Sequence, residues 1–211
     1  MEETLTLKAK PKVFMGFRKI YHVLAASLFP LGYLYPPLGL GYPQTRFFLL
    51  WVSGVCFGVS FLLDLLRLRD KEFNSKFMRY FSALIRQTEE TRFNGSTFLC
   101  LAFFVVIFFF SRKVAITAMF FLSLGDTAAE LGGKNFGRFK IFHRSMEGTA
   151  AFFLVAFLIA LALLEDWRIA LVGAAAGALV ELLSFELDDN LTVPIGSALA
   201  LGIALSLFHA I

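Results

Sequence analysis

Hydrophobic positions along this chain fall in long blocks, with neither strand-like alternation nor a polar face on each segment. Residues 20–36, 47–66, 97–110, 114–131, 149–164, 169–185 and 193–208 are each largely apolar. Most are about 15–20 residues long, near the length of helix that crosses the hydrocarbon core of a bilayer. A soluble bundle would need a polar stripe on most of these segments, and they carry almost none. The pattern predicts an all-α, polytopic transmembrane bundle of about seven spans, forming one domain over residues 1–211 with no linker. The longest polar segment is 67–95, where Phe73, Phe77, Met78, Phe81, Leu84 and Ile85 recur at helical spacing. That spacing predicts an amphipathic helix on the inner membrane interface, serving as an anchor or as a guide for an amphiphilic substrate.

Composition agrees with the blocks: 58% of residues are hydrophobic, 27 are Phe and only 17% are charged, with a mean hydropathy of +0.72. The net charge of +4 would suit nucleic acid, but its distribution argues otherwise. With seven spans and the N-terminus inside, all 20 basic residues except Arg46, Arg112, Lys113 and Arg168 fall on the inner side. The positive-inside rule therefore selects an N-in, C-out orientation, and the basic excess reads as topology and headgroup contact, with no nucleic acid partner. Pro30, Tyr33, Tyr35 and Pro36 suit an interfacial exit better than a cleavage site, so the first run reads as a span. Cys56 and Cys100 lie inside spans and read as packed thiols. Asn94-Gly-Ser96 and Asn190-Leu-Thr192 match the glycosylation pattern but fall on the inner side, which leaves them as chance matches or functional loop residues. Gly54-xxx-Gly58 and Gly173-xxx-Gly177 are faces that let helices approach closely; the oligomeric state stays open, a homodimer included.

Candidate chemistry gathers on the inner side. Ionisable groups within or at the ends of spans are costly and mark functional positions by default; here they are Asp64, Asp126, Glu130, Glu147, Glu181 and His22. Asp126 and Glu130 are four apart and share a helix face, where a hard divalent cation or a basic partner such as Lys134 or Arg138 would relieve their repulsion. Gly132, Gly133 and Gly137 follow, interleaved with Lys134, Arg138 and Lys140. That mixture suits an oxyanion approached by backbone amides and neutralised by cations, although the spacing is not a Walker A loop. The segment closes with His143, Arg144, Ser145, Glu147 and Gly148, where Ser145 and Glu147 also fit a helix cap. Arg18, Lys19 and His22 open the first span, with Arg18 and His22 on one face. The stretch ELLSFELDDNLTVP adds Glu181, Glu186, Asp188, Asp189 and Asn190 without one basic residue. An acidic inner loop defies the charge bias and fits a metal–nucleotide complex better than an anionic membrane surface. These patches together suggest phosphoryl transfer from a nucleotide to a lipid.

Two stretches resemble a known family. "GDTAAELGGKNFGR" followed by "RSMEG" is similar to the glycine-rich segment of the CTP-dependent lipid kinases, which include dolichol, phytol and diacylglycerol kinases. "LDDNLTVP" at 187–194 resembles the D-D-N-[LF]-T-[VI]-P segment of the phytol and diacylglycerol kinase branches. "RKIYH" at 18–22 and "ETRFNGST" at 90–97 fall where that family keeps its opening motif and a polar segment. The resemblance implies Mg²⁺-dependent transfer of the γ-phosphoryl group of CTP to the hydroxyl of a long-chain lipid alcohol, giving a lipid monophosphate and CDP. Carried over by position, it marks Asp126, Gly132, Gly137, Ser145, Glu147, Gly148, Asp188, Asp189, Asn190, Thr192 and Pro194, plus Arg18, Lys19 and His22; Asp126, Asp188 and Asp189 are the catalytic candidates, and the placement of the acids adds Glu130 and Glu181 to Asp126 and Asp188 as metal candidates. Taken with the basic and polar residues of the same segments, the nucleotide and phosphate candidates are Arg18, Lys19, His22, Asn94, Gly132, Lys134, Gly137, Arg138, Lys140, Arg144, Ser145, Glu147, Gly148, Asn190 and Thr192. Arg144 stands where the family usually has Lys, which keeps the charge and adds bidentate reach. Two rival functions are a phosphatidate cytidylyltransferase, whose H-G-G and D-R-x-D signatures do not occur here, and a transporter, which would spread its acids across membrane depth.

Overall fold

The computed structural model describes residues 12–141, 144–184 and 187–209; His143 and Glu186 lie outside these. Each apolar run has its helix. α1 (Lys12–Leu34), α2 (Tyr42–Arg69) and a short α3 (Lys71–Tyr80) are followed by α4 (Gly95–Phe109). α5 (Arg112–Phe120) runs through a π-helical turn (Phe121–Asp126) into α6 (Thr127–Phe136). A two-stranded antiparallel hairpin, β1 (Lys140–Ile141) and β2 (Arg144–Ser145), leads into α7 (Met146–Leu164), α8 (Trp167–Leu183) and α9 (Asp189–His209). Among the described residues, four segments are long and apolar enough to cross a membrane: Tyr42–Arg69, Arg112–Phe136, Met146–Leu164 and Asp189–Phe208.

Side-chain size is distributed as a lipid environment demands. The buried positions are rich in small residues, among them Ala26, Ala102, Ala115, Ala118, Ala156, Ala160, Ala170 and Ala174, while Leu28, Phe47, Trp51, Leu62, Leu154, Leu158, Ile203 and Leu207 point outward. Lipid tails are as apolar as leucine, so such helices associate through close packing of small residues. α8 shows this directly. A Cβ on Gly173 would come within 2.2 Å of Leu201, and one on Gly177 within 3.0 Å of the Ser197 hydroxyl. The small face of α8 is therefore spent on α9 within one chain. Gly58 of α2, by contrast, has open space around it.

α5 sits at the centre, with Val114 to Met119 buried, and α1, α4, α7 and α9 pack around it. At one end of the bundle Arg112 donates to the carbonyls of Tyr33 and Leu34 that end α1, and Arg46 donates to those of Ile107 and Phe108 near the end of α4. These guanidinium groups satisfy carbonyls that a helix end leaves without partners. The opposite end collects the start of α1, the loop before α4, the π turn, the end of α8 and the start of α9, and there the charged residues meet.

Two expectations change. The amphipathic helix stops at Tyr80, and Leu84 and Ile85 lie in turns. Ile85 is buried, 5% exposed, so the chain leaves the helix to carry it inward. The Phe73, Phe77 and Phe81 rings do form a ladder along the helix, with centroids 6.2 and 4.8 Å apart. Cys100 is buried as expected, whereas Cys56 lies on the exposed side of α2; both thiols are free.

Candidate functional site

A narrow pocket of about 80 Å³ opens at the charged end of the bundle. It brings together Arg18, Lys19 and His22 from α1, Asn94 and Ser96 at the start of α4, Asp126 and Glu130, and Asp188, Asp189 and Asn190. Residues more than 160 positions apart in sequence thus share one cavity, as the scattered motifs required. Arg86 and Glu89 line it as well. Sequence reasoning passed over both, because their segment carries no spacing signal and only the return of the chain around Ile85 brings them inward.

Local structure aims the acids. Asp126 ends the π turn, and such turns, with their displaced hydrogen-bond register, recur at functional sites. Gly125 gives the turn room, since a Cβ there would lie 3.0 Å from the Phe152 ring. No hydrogen bond or ion pair among the described residues engages the Asp126 carboxylate. Asp188 accepts from the Asn190 backbone N–H at 2.9 Å and from its side-chain amide at 2.7 Å, both through Oδ1, which leaves Oδ2 to the pocket. Asp189 Oδ2 takes Arg144, whereas its buried Oδ1 has no hydrogen-bond partner among the described residues. Arg144 also pairs with the buried Glu181 at 3.2 Å, and Glu181 accepts from Thr149 at 3.1 Å. One guanidinium thereby ties the hairpin to α8 and α9.

The loop before α4 is held from beneath. Asp64 and Arg67, 2% and 1% exposed, form an ion pair at 2.6 Å near the end of α2. Asp64 Oδ2 accepts from the Asn94 backbone N–H at 2.9 Å and from the Thr97 hydroxyl at 2.6 Å. Arg67 donates to the carbonyls of Glu89 and Arg92 and lies over the Phe77 ring. The Asn94 side chain caps α4 by accepting from Ser96 at 3.2 Å. Glu89 bridges the loop, accepting from the backbone N–H groups of Arg86 at 3.0 Å and Gly95 at 3.3 Å. Burial pushes the Glu89 carboxyl above its ordinary value, against the pull of those two donors. Gly95 is needed where it stands. A Cβ there would lie 2.7 Å from the Asn190 amide and 3.3 Å from Glu89, so only glycine lets α4 come this close to the D-D-N segment.

The glycine-rich segment departs from expectation. Gly132 and Gly133 lie inside α6, not in a phosphate loop, and their absent side chains admit α7. A Cβ on Gly132 would meet Ala151 at 2.8 Å, and one on Gly148 the Ala129 carbonyl oxygen at 2.7 Å. Gly137 ends α6, its N–H bonded to the Gly133 carbonyl. Amides committed to helix bonds have no hydrogen to offer an anion. Ser145 caps α7 by accepting from Gly148 at 3.1 Å, and Glu147 accepts from the backbone N–H groups of Arg138 and Phe139 at 3.0 and 3.2 Å. Lys134 pairs with Glu130, while Arg138 and Lys140 are exposed and outside the pocket lining. Thr192 shares a hydrogen bond with Ser184 at 2.7 Å and supports the start of α9. The cations that do line the pocket are Arg18, Lys19 and Arg86.

The four residues expected around a metal are placed differently from one another. Glu130 is engaged by Lys19 at 2.6 Å and by Lys134, and Glu181 by Arg144, so neither is open to a cation. No group of three or more metal-ligating side chains converges among the described residues. The open oxygens of Asp126, Asp188 and Asp189 nevertheless fit Mg²⁺, which binds through one or two carboxylates together with substrate phosphates and water, not in an all-protein cage.

Fold and site together define a polytopic helical membrane protein with an acidic and basic pocket at the ends of its helices. No family model and no solved structure matches the chain. It is 29% identical to the CTP-dependent diacylglycerol kinase 1 of Saccharomyces cerevisiae, over 90% of this chain and 73% of that protein. Against the chloroplastic phytol kinase 1 of Arabidopsis thaliana it is 28% identical over 87% of this chain and 64% of the relative. The CTP-dependent diacylglycerol kinase 1 of Schizosaccharomyces pombe gives 25% identity over 76% and 82%. The named relatives that it resembles over most of its length are thus CTP-dependent diacylglycerol kinases and a phytol kinase, at 25–29% identity.

Proposed function

We propose that this protein transfers the γ-phosphoryl group of CTP to the hydroxyl of a membrane lipid alcohol, with Mg²⁺, at the cytoplasmic face of a seven-span bundle whose N-terminus is inside. One observation carries the reading: Arg18, Lys19 and Arg86 share a pocket with Asp126, Asp188 and Asp189, whose carboxylates keep oxygens without a hydrogen-bond partner among the described residues, at the ends of apolar helices. The basic excess on the connections at that end supports its cytoplasmic placement.

Phosphoryl transfer asks a protein mainly for positioning and charge neutralisation. Arg18 and Arg86, with Lys19 shared with Glu130, neutralise the triphosphate, and the first turn of α4, capped by Asn94, turns its positive end toward it. The pocket, lined by Tyr21 as well, receives the terminal phosphoryl groups of the nucleotide. When bound, Mg²⁺ on Asp126 and Asp188 would offset charge on the β- and γ-phosphates. The lipid hydroxyl oxygen forms its bond to the γ-phosphorus, and the bond from that phosphorus to the β–γ bridging oxygen breaks. CDP leaves with the bonding pair, and the hydroxyl proton passes to Asp189 Oδ1.

The test is formation of lipid monophosphate by purified protein given γ-labelled CTP, Mg²⁺ and either diacylglycerol, phytol, a short polyprenol or dolichol. Labelled lipid that disappears with EDTA and in Asp126→Asn is expected. A protein that labels none of the four, or whose Asp126→Asn variant labels them as wild type does, overturns the reading.

A further inference from the structure

A second cavity adjoins the phosphate pocket and is far larger, about 880 Å³ against about 80 Å³. The two share a wall of Arg86, Glu89, Asp188 and Asp189. On the far side of that wall the lining changes character. Leu68 comes from the end of α2, Phe98 from the first turns of α4 and Leu191 from the first turn of α9. Phe93 packs among them, stacked on Phe61 of α2 with centroids 5.6 Å apart and edge-on to Phe98. Thr88, Thr91 and Arg92 form the polar rim.

We infer that this cavity is the acceptor subsite, in which a lipid alcohol lies with its chain against Leu68, Phe98 and Leu191 and its hydroxyl at the shared wall. The inference rests on the kinase reading and adds to it the place and direction from which the acceptor comes. Three features favour a lipid over a nucleoside there. The apolar lining lies on the ends of α2, α4 and α9, and the ends of membrane-crossing helices are where a bilayer presents its headgroups. Phe61, which backs Phe93, is itself exposed on the outer face of α2, so the apolar lining continues toward the surroundings. The shared wall then separates a chamber of mixed lining, with Leu68, Phe93, Phe98, Leu187 and Leu191 as its apolar part, from a charged one. The hydroxyl meets the γ-phosphate where the two cavities join beside Arg86, Glu89, Asp188 and Asp189, with the attacking oxygen opposite the β–γ bridging oxygen, as an in-line displacement requires. Asp189, whose buried Oδ1 has no hydrogen-bond partner among the described residues, lines both chambers and is placed to take the proton that the hydroxyl must lose.

The test fills the cavity from two walls, with Leu68→Trp and Leu191→Trp, and measures KM for diacylglycerol and for CTP separately in mixed micelles. At least a fivefold rise in KM for the lipid, with KM for CTP within twofold of wild type, is expected for both. In parallel, wild-type protein is irradiated with a diazirine-bearing diacylglycerol and the labelled peptides are mapped by mass spectrometry. Label on residues 68, 91–98 or 187–191 is expected, diminished in both tryptophan variants. An unchanged lipid KM, a rise confined to CTP, or label concentrated elsewhere overturns the subsite. Because the labelling needs no turnover, a wild-type protein that labels in the cavity but transfers nothing would fault the kinase reading and leave the lipid subsite standing.

Discussion

Asp64→Asn isolates the contribution of the clamp beneath the site. The substitution keeps the shape of the side chain but removes the counter-ion of Arg67, which is 1% exposed. Taking one partner from a buried ion pair costs about 3–5 kcal/mol, because a charge is left buried without compensation. Arg67 keeps neutral acceptors in the carbonyls of Glu89 and Arg92 and in Asn74, which places the loss near the low end, about 3 kcal/mol. For a chain of this size that is a fall of about 6–12 °C in the midpoint of thermal unfolding in detergent. The clamp also holds the Asn94 backbone and, through Arg67, the Glu89 carbonyl. KM for CTP should therefore rise about tenfold, equivalent to one charge-assisted contact of about 1.4 kcal/mol. The double variant Asp64→Asn, Arg67→Met separates the two effects. Removing the orphaned charge restores most of the stability, since apolar replacements of buried pairs are often neutral or better, but the loop stays unanchored and the raised KM remains. A single variant within 2 °C of wild type, or a double variant no more stable than the single one, would refute this account of the clamp.

Other perturbations discriminate packing from binding. Gly148→Ala forces a Cβ to 2.7 Å from the Ala129 carbonyl oxygen and should lose about 1–3 kcal/mol of stability. Gly58→Ala, in open space, should match wild type or gain up to about 1 kcal/mol from helix propensity; thermal unfolding of both checks this. Gly95→Ala should lower kcat/KM more than it lowers stability, because it displaces Asn190 and Glu89 at the pocket, and steady-state kinetics beside a melting curve separate the two. Burial raises the Glu89 carboxyl above its ordinary value, so its contribution to stability is full below about pH 4.5 and is lost as pH rises through its folded-state value. The unfolding midpoint of Glu89→Gln should accordingly gain on wild type as pH is raised from 4.5, and a constant difference would contradict the shift.

The sequence announced the helices because a bilayer imposes a strong one-dimensional signal, and every apolar run corresponds to a helix. It also announced which distant segments meet: Arg18, Lys19, His22, Asn94, Asp126, Glu130 and the D-D-N stretch do line one pocket. What stayed hidden depends on three-dimensional packing. Gly132 and Gly148 look like phosphate-loop glycines in sequence, yet each lies where α6 and α7 touch, and composition alone does not separate an amide facing an anion from one facing a helix. Lys134 and Arg144 read equally well as phosphate ligands until Glu130, Asp189 and Glu181 are seen to engage them. Arg86 and Glu89 were missed because their position depends on a turn made to bury Ile85. Asp64 was flagged as a costly intramembrane charge, but its partner and its purpose emerge only when the loop before α4 folds back onto α2.

The most direct test of the central claim follows two labels of CTP in parallel reactions with Mg²⁺ and lipid, one label on the α-phosphate and one on the γ-phosphate, with phosphatidate included among the lipids. The account predicts γ-label in an extractable lipid monophosphate, with α-label remaining in water-soluble CDP. Extraction of the α-label as a CDP-lipid, with pyrophosphate released, would contradict it and point to cytidylyl transfer instead.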